Sequence, residues 1–406
     1  MKILIVNTSD TGGGASKAAV RLFEALLTDG IDVSMLVHEK NTTNDRFVSS
    51  VPKPIQILQS RLDKYECKLR GIKRQSLFSI ARFGNDITKH EAFKQADVVN
   101  IHWVNRGFLS VENLGAIFKS GKKIVWTLHD SWAFTGGCHL PYDCILYKSH
   151  CGTCPAIASD KEHDLAYSIF ERKQQSWKDA DMSVFAPSNW SANKSLSSVL
   201  LKNFATKVFP NALNTDLFKV YQQEEARVEL KLPLNKKIIL FGAMNATSDV
   251  NKGYSLLLEA IRFLIKGDET FSQTHALCIV GSDATIPLPM DVYVMGTIYD
   301  DHRMAKLYAA SDVFVLPSKS ENLPYTIMES LACGTPAVAF NVGGISELVK
   351  HQDNGYLAQC YDTSDLANGI LHALSELIYS KEIISKTIKD RYGYKTVSKQ
   401  FLNYIE

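Results

Sequence analysis

Short apolar runs alternate with amphipathic stretches along almost the whole chain. Runs of strand length and stretches with helical spacing begin at the N-terminus, with strands over residues 2–7, 32–38, 97–103 and 123–129 and helices over 14–29 and 111–120. A second series has strands over 237–242, 276–280, 313–317 and 337–340 and helices over 254–266, near 304–310 and after Pro324. This β-α-β order predicts parallel sheets with helices on both faces.

A small pattern recurs before three of the strands, at residues 96, 180 and 311. In each case a small residue and an aspartate precede a buried strand, and a polar residue stands at its carboxyl end. In open α/β sheets, ligands bind outside those carboxyl ends. We therefore expect two doubly wound, Rossmann-like α/β domains, residues 1–195 and 196–388, facing a central cleft that holds a ligand. A helix over 389–406 is expected to pack back on the first domain.

Composition is that of a soluble globular enzyme, with 406 residues, 45% hydrophobic, 22% charged and a net charge of +2. That balance gives no support for nucleic-acid binding through bulk charge. No apolar run reaches the roughly 18 residues that a transmembrane helix needs. The N-terminal run lacks a signal-peptide pattern and indicates a first buried strand, so we expect a cytoplasmic protein with reduced cysteines.

Residues 52–75 carry seven Lys or Arg against two acids, interleaved with isoleucine, leucine and tyrosine. This pattern suits a membrane-surface or lipid-acceptor element. It equally suits a solvated helix face, and the sequence leaves both alternatives open.

The strongest chemical signal lies at residues 318–355. A strand runs into a loop that opens a helix at about Pro324, so free backbone N–H groups and the positive end of the helix dipole form a seat for a phosphate. Glu321 lies in that loop, and Glu329 lies about one and a half turns inside the helix. The two carboxylates are therefore expected to hold different parts of one elongated ligand.

Four of the eight cysteines fall within seventeen residues: Cys138, Cys144, Cys151 and Cys154. The Cys-x-x-Cys pair and the two upstream cysteines give a plausible tetrahedral set, with His139 and His150 as spare ligands. We expect a structural Zn²⁺ that braces its loop, since four cysteine ligands leave no open position for catalysis. A pair of disulfides and simple thiols remain alternatives.

In order and spacing, the motifs together resemble those of the GT-B-fold retaining glycosyltransferases of family 4, and the resemblance covers nearly the whole chain. The motifs are the glycine-rich loop at 12–15, W-T-L-H-D at 126–130, A-P-S-N-W at 186–190, F-P-N-A-L-N-T-D-L-F at 209–218, K-G at 252–253, V-M-G-T-I at 294–298, the Glu321…Glu329 motif with N-V-G-G-I-S-E-L-V at 341–349, and N-G-Y-L at 354–357. A similar Cys-rich insertion occurs in bacterial exopolysaccharide and colanic-acid-type glycosyltransferases, which points to surface-polysaccharide or capsule assembly.

The resemblance implies transfer of a sugar, of hexosyltransferase type, from a UDP- or GDP-sugar to a glycan or lipid-linked acceptor with retention of configuration. The C-terminal domain would hold the donor and the N-terminal domain the acceptor, with possible peripheral contact with the inner membrane and no nucleic acid. Catalysis would need no cofactor or metal, because Lys252 and a helix N-terminus would stabilise charge on the diphosphate. The Asp-Ala-Asp at 179–181 leads into a strand and is taken as structural.

The same resemblance assigns the candidate site residues. His129, Lys252 and Glu321 are catalytic candidates, with Glu321 beside the donor sugar and Glu329 on the ribose hydroxyls. The donor-binding set is Gly13, Gly14, Gly242, Lys252, Gly296, Ser318, Glu321, Asn322, Leu323 and Glu329, and the acceptor candidates are Asp130, His102 and Trp103. The sequence departs from the family at Ala243, where an Arg is usual. A degenerate, non-catalytic protein that binds nucleotide sugars or glycans is the alternative.

Overall fold

The structure is a computed structural model that describes residues 1–72, 77–244, 246–282, 287–375 and 380–406. Residues 73–75 of the basic segment at 52–75 lie outside the described residues. The chain divides into two compact units, Met1–Ala212 with Val397–Glu406, and Leu213–Thr396. The division falls beyond the predicted boundary at residue 195, because one more strand after that point pairs with the first sheet.

The first unit contains a seven-stranded parallel sheet. Its strands are β1 (Lys2–Ser9), β2 (Asp32–Glu39), β3 (Phe47–Ser49), β4 (Val98–Ile101), β5 (Lys123–Thr127), β6 (Ser183–Ala186) and β7 (Ala205–Val208). Its helices are α1 (Gly14–Thr28), α2 (Lys53–Leu69), α3 (Glu91–Gln95), α4 (Val111–Phe118), α5 (Leu165–Ser176) and α6 (Asn189–Ser197), with short 3-10 turns at Ile87–Lys89, Trp132–Phe134, Leu146–Lys148 and Pro155–Ile157. The strand order is β3-β2-β1-β4-β5-β6-β7, so it reverses between β1 and β4.

The second unit contains a six-stranded parallel sheet. Its strands are β8 (Lys237–Gly242), β9 (His275–Val280), β10 (Asp291–Val294), β11 (Val313–Leu316), β12 (Ala337–Phe340) and β13 (Gly355–Ala358). The helices from here to the C-terminus are α7 (Gln223–Leu230), α8 (Tyr254–Gly267), α9 (Phe271–Thr274), α10 (Asp301–Ala310), α11 (Tyr325–Ala332), α12 (Ile345–Leu348), α13 (Thr363–Leu374), α14 (Lys381–Tyr392) and α15 (Tyr394–Ile405), with a 3-10 turn at Val250–Lys252. The order β10-β9-β8-β11-β12-β13 reverses between β8 and β11, the usual place for a ligand.

The predicted pair of parallel-sheet α/β domains is confirmed. Central strands such as β1 are buried on both faces, which explains why they read as continuous apolar runs rather than alternating ones. Two predicted strands end two residues early, β4 at Ile101 and β5 at Thr127. The polar residues that follow leave the sheet ladder, and they build the site of this unit.

The predicted C-terminal helix is interrupted at Gly393, which has extended backbone angles and separates α14 from α15. Most of α15, from Val397 onwards, belongs to the first unit and packs within it. The Phe401 ring packs edge-on against Phe185 at 5.8 Å, and Ser398 Oγ donates a hydrogen bond to Asp29 Oδ2 at 2.9 Å. Among the described residues, no helix combines the length and apolarity required to cross a membrane.

Candidate active site

An ion pair joins two segments at the carboxyl edge of the second sheet. Lys252 ends the 3-10 turn that follows β8, and Glu321 lies in the loop between β11 and α11. Lys252 Nζ is 2.7 Å from Glu321 Oε1, and the side chains are only 23% and 14% exposed. Partial burial limits screening by solvent, so this pair is held more firmly than a surface pair. The structure thus brings two predicted catalytic residues into direct contact.

Backbone contacts hold the two segments in register. Lys319 N donates to Asn251 O at 2.8 Å, and Asn251 Nδ2 donates to the backbone oxygen of Ser320 at 3.0 Å. Gly253 has φ +69°, and a Cβ there would lie 1.9 Å from Pro317 O. Only glycine permits this close approach, which gives a physical reason for the glycine directly after Lys252.

A third segment closes on the backbone of Glu321 from the other side. Gly343 has φ +62°, and a Cβ at this position would lie 1.6 Å from Glu321 O. Gly344 N donates a hydrogen bond to the same oxygen at 3.3 Å. No motif in the sequence predicted a role for these glycines. Their contacts with the backbone oxygen of Glu321 nevertheless fix the position of that residue.

Glu329 is buried in α11, with 1% of its surface exposed. The Tyr308 hydroxyl, from α10, donates to Glu329 Oε2 at 3.0 Å. Nothing in the sequence pattern identifies this partner. One carboxylate oxygen is therefore engaged by the protein in this structure, and the ribose role of Glu329 stays a prediction.

The other donor-side candidates of the second unit lie in or next to loops at the carboxyl edge of the sheet. Ser318 is fully buried, and its Oγ has no hydrogen-bond partner among the described residues. Asn322 and the buried Leu323 lead into α11. A Cβ on Gly242 would lie 2.3 Å from the Val280 side chain, and Gly296, with φ +63°, accepts a hydrogen bond from Gly281 N. Close packing requires a glycine at 242, and the left-handed backbone favours one at 296, whether or not either residue touches a ligand.

Gly13 and Gly14 belong to the first unit and are exposed where α1 begins. A Cβ added at either would meet no atom within 4 Å. Gly13 is the N-cap of α1, and no side chain caps this end of the helix. The open N-terminus suits the predicted approach of a ligand to the backbone.

Two histidines form a hydrogen-bonded pair where β4 and β5 end. His102 Nδ1 lies 2.8 Å from His129 Nε2, and His102 Nε2 lies 2.8 Å from Asn100 Oδ1. The backbone oxygen of Val125 can only accept a hydrogen bond, and Asn100 Nδ2 donates one to it at 3.2 Å. This bond fixes the orientation of the Asn100 amide, so the group that faces His102 is the acceptor Oδ1. His102 therefore carries its proton on Nε2 and accepts one from His129 Nε2–H. Neutral His129 then presents Nδ1 as a hydrogen-bond acceptor.

The Asp130 carboxylate is held by three protein donors. Its Oδ2 accepts from Trp103 Nε1 at 2.8 Å and lies 2.6 Å from His139 Nδ1, while its Oδ1 accepts from Trp132 N at 2.8 Å. Burial alone would raise the pKa of Asp130, but His139 and these hydrogen bonds outweigh it and lower the pKa. His139, a spare metal ligand in the sequence analysis, is instead held between Asp130 and Ser79 Oγ.

These residues border one small recess of the first unit. Its lining includes the predicted His129 and all three acceptor candidates, His102, Trp103 and Asp130. Asn105 also lines it, and its Nδ2 has no hydrogen-bond partner among the described residues although the side chain is buried. The recess therefore offers polar groups that a ligand could satisfy.

Lys173, from α5, is a buried cation that sequence reasoning missed. Its Nζ donates to the backbone oxygens of Trp132 and Thr135 and lies 3.6 Å from the centre of the Trp132 ring. Burial lowers the pKa of Lys173 to about 7. Lys173 thus ties down the segment directly after Asp130, and no motif in the sequence marks it.

All four cysteines of the insertion are described and are free thiols. Cys138 and Cys151 are buried, and burial raises the pKa of each to about 12. Nowhere in the described ranges do three or more Cys, His, Asp or Glu side chains form a group that could hold a metal ion. The arrangement seen does not supply a zinc ligand set, and the structural zinc stays a prediction.

The pair of buried histidines predicts a specific dependence of stability on pH. Burial lowers the pKa of His129 to about 4 and that of His102 well below its usual value. Their ordinary value is about 6.5, so the stabilising contribution is complete above pH 6.5 and is lost as the pH falls from there towards 4. Between about pH 6.5 and 4, the unfolding free energy of His129→Gln, which keeps a donor for His102, should therefore fall less steeply than that of the wild type.

Urea denaturation at several pH values measures this difference. Burial raises the pKa of Asp63 to about 6, which favours the fold at low pH and opposes the histidine effect, so the two proteins must be compared with each other. We expect the slopes to differ by about 1.4 kcal/mol per pH unit for one proton. Equal slopes would contradict the assignment of a neutral, buried His129.

The two parallel sheets, each with its own helices, define the GT-B fold. Solved structures that resemble the chain over its whole length support this fold. HepE of Anabaena, solved with UDP-glucose, covers 100% of this chain and 99% of its own at 17% identity and a TM-score of 0.64. Sucrose-phosphate synthase of Thermosynechococcus elongatus covers 100% and 98% at 16% identity and a TM-score of 0.67.

Residues 235–376, which lie in the second unit, match the family described as Glycosyl transferases group 1. Two proteins of similar sequence are also named as glycosyltransferases. An uncharacterized glycosyltransferase of Methanocaldococcus jannaschii is 25% identical over 66% of this chain and 69% of its own length. A putative teichuronic acid biosynthesis glycosyltransferase of Bacillus subtilis, TuaC, is 28% identical over 50% and 48%. The second unit thus resembles the glycosyltransferase domains of the group 1 type.

Proposed function

We propose that the protein is a retaining glycosyltransferase of family 4 that moves a hexose from a nucleoside-diphosphate sugar to a glycan or lipid-linked acceptor. The observation that carries this proposal is the Lys252–Glu321 ion pair, which stands in front of α11 within the group 1 domain. A cation and a carboxylate at the N-terminus of a helix suit a ligand that carries both a diphosphate and a sugar.

The chemical task is to stabilise negative charge on the departing nucleoside diphosphate. Lys252 supplies a positive charge, and the backbone amides before α11 supply oriented dipoles that need no reorganisation. Glu321 then accepts hydrogen bonds from the donor sugar or steadies positive charge near its anomeric carbon. In this proposal the cationic role belongs to protein groups, so catalysis is metal-independent.

In the first unit, His129 is proposed to accept a hydrogen bond from a sugar hydroxyl through Nδ1. The relay from Asn100 through His102 fixes that tautomer, and burial, which lowers the pKa of His129 to about 4, keeps the ring neutral. Asp130 is proposed to act by orienting Trp103 and His139, because its oxygens already accept three protein donors. His102 is thus a positioning residue in this proposal, and Trp103, which is only partly buried, remains the acceptor-side candidate on the recess.

A role in bacterial surface-polysaccharide synthesis is proposed on two grounds. The Cys-rich insertion resembles that of exopolysaccharide enzymes, and one relative, TuaC, is named for teichuronic acid biosynthesis. UDP-sugars are the first donors to test, since HepE was solved with UDP and with UDP-glucose. GDP-sugars are the second.

Nucleotide binding tests the proposal directly. In thermal unfolding with UDP, GDP, ADP or dTDP, one nucleotide at about 100 times its Kd should stabilise the protein by about 2.7 kcal/mol. The corresponding nucleotide sugar should then be hydrolysed slowly in the absence of an acceptor. A protein that no nucleotide stabilises would contradict the proposal.

The alternative is a non-catalytic GT-B protein that binds nucleotide sugars or glycans. The observation that favours it is Ala243, which replaces the usual arginine after β8 and removes one expected cation from the diphosphate. Stabilisation by a nucleotide together with complete inertness towards all common nucleotide sugars would support this alternative.

A further inference from the structure

Helix α2 is amphipathic, but its polar side faces the protein and its apolar side faces solvent. The residues that it buries are polar: Gln56, Asp63 and Glu66. Its large apolar side chains point to solvent instead. Ile55, Leu58, Leu62, Tyr65 and Leu69, called here the apolar stripe, are 43%, 56%, 37%, 60% and 67% exposed. A helix of a water-soluble domain ordinarily does the opposite.

The apolar stripe is continuous. Its members are spaced by three, four, three and four residues, which places them within an arc of roughly 80° on one side of the helix. Ile57 is also 43% exposed, and Leu77, beyond the helix, is 55% exposed. Scattered exposed leucines are normal on protein surfaces, but a stripe along a whole helix indicates a surface that becomes covered.

The charges around the stripe have one sign. Arg61, Lys64 and Lys68, called here the basic row, are exposed and adjoin the stripe on the side away from the protein body. Within α2, which is described throughout, the only acids are Asp63 and Glu66, and both are buried. We propose that the outward face of α2 docks on the surface of an anionic phospholipid membrane.

Charge and area both favour a membrane over a second copy of the chain. Two α2 helices packed together would bring two basic rows close with no exposed acid on either helix to pair with them. One helix of this length offers roughly 26 Å by 10 Å of contact, about 260 Å². A stable protein interface needs about 800 Å² per partner. A lipid surface needs neither a complementary shape nor that area, and it attracts each basic side chain.

The inner side of α2 contacts the chain segment that directly follows the recess-lining residues His102–Asn105. Ser60 Oγ donates to Arg106 O at 3.2 Å, and a Cβ on Gly107 would lie 2.7 Å from Gln59 O. The Arg106 guanidinium stands 5.5 Å from the centre of the Trp103 ring. A membrane bound by α2 would therefore lie one helix away from the acceptor candidates. This closeness indicates that the acceptor is itself a membrane lipid, an inference that rests on the proposed function. The docking of α2 on a membrane does not depend on the proposed function.

Co-sedimentation with vesicles tests the docking without any assay of activity. The full chain should bind vesicles made of phosphatidylglycerol and phosphatidylcholine in equal parts, and should bind phosphatidylcholine vesicles far more weakly. Replacing the basic row, Arg61→Gln/Lys64→Gln/Lys68→Gln, should lower the partition coefficient by about 100-fold. The apolar variant Leu58→Gln/Tyr65→Gln/Leu69→Gln should lower it by at least about 10-fold.

A matched control replaces three exposed apolar residues on other helices, Phe263→Gln/Leu371→Gln/Ile383→Gln. It should bind vesicles as the wild type does. Equal binding to both kinds of vesicle, or unchanged binding by the apolar variant, would overturn the proposal. A dimer in sedimentation velocity that the apolar variant dissociates would identify a second copy as the occupant and would overturn it too. Nucleotide stabilisation, measured on the same variants, reports separately on the proposed function.

Discussion

Replacing Lys252 with methionine is expected to lower kcat by about 100-fold or more, with a similar loss for Glu321→Gln. Methionine keeps much of the length of the lysine side chain but removes the charge that would face the diphosphate. Glutamine keeps the shape of Glu321 but breaks the charge pairing across 2.7 Å. Steady-state kinetics with the donor that the nucleotide screen identifies will measure both losses.

Because the two side chains form one unit, their effects should not add. The double variant is expected to lose about as much as the worse single variant. The matched control is the ion pair of Lys306 and Glu229 in the same unit, whose side chains are 29% and 55% exposed, and Lys306→Met should leave turnover close to that of the wild type. Turnover of Lys252→Met within a small factor of the wild type, in a protein that still binds nucleotide, would remove Lys252 from the mechanism.

Periodicity predicted the fold well because buried parallel strands leave a strong signal. The apolar runs at β1, β8 and β11 are buried on both faces, and sequence and structure agree closely on where they begin. Weak signals came from edge strands such as β3 and β7, which are short and only partly buried. The interruption at Gly393 was missed because the apolar spacing continues across it, although a glycine after the basic residues Lys389 and Arg391 is a helix stop signal.

The site shows a different limit of sequence reasoning. Loop motifs identified Lys252 and Glu321, but the partners that hold a side chain come from remote segments. Tyr308 reaches Glu329 from another helix, and Lys173 reaches the segment after Asp130 from α5. Asn100 could have been found, since it lies two residues before His102 on an extended chain and so shares a face with it.

The reversed helix α2 gives the opposite lesson. Its basic and apolar pattern was visible in the sequence, but two alternatives stayed open because composition does not say which face is buried. In the structure Asp63 and Glu66 are buried whereas Leu58 and Leu69 are exposed, and this orientation supports the docking proposed above. A pattern of charges therefore becomes informative only when the structure shows the direction of each side chain.

Gly343→Ala is expected to have the second large effect, although Gly343 lies in a different loop from both carboxylates. Its φ of +62° costs an alanine about 1–2 kcal/mol. The added methyl group would also lie 1.6 Å from Glu321 O, so the backbone of one loop must shift. With about 1–3 kcal/mol for such overpacking, the unfolding free energy should fall by roughly 2–5 kcal/mol.

The displaced loop also carries Glu321, so turnover should fall even at temperatures where the variant stays folded. Catalysis is sensitive to shifts of about 1 Å in the position of a reacting group. Gly267→Ala is the matched control, because a Cβ at the end of α8 meets no atom within 4 Å. Denaturant unfolding and kcat of the two variants separate the effects. If Gly343→Ala were as stable and as active as Gly267→Ala, then the contact behind Glu321 would be soft, and the position of its carboxylate would have to be fixed by the ion pair with Lys252 alone.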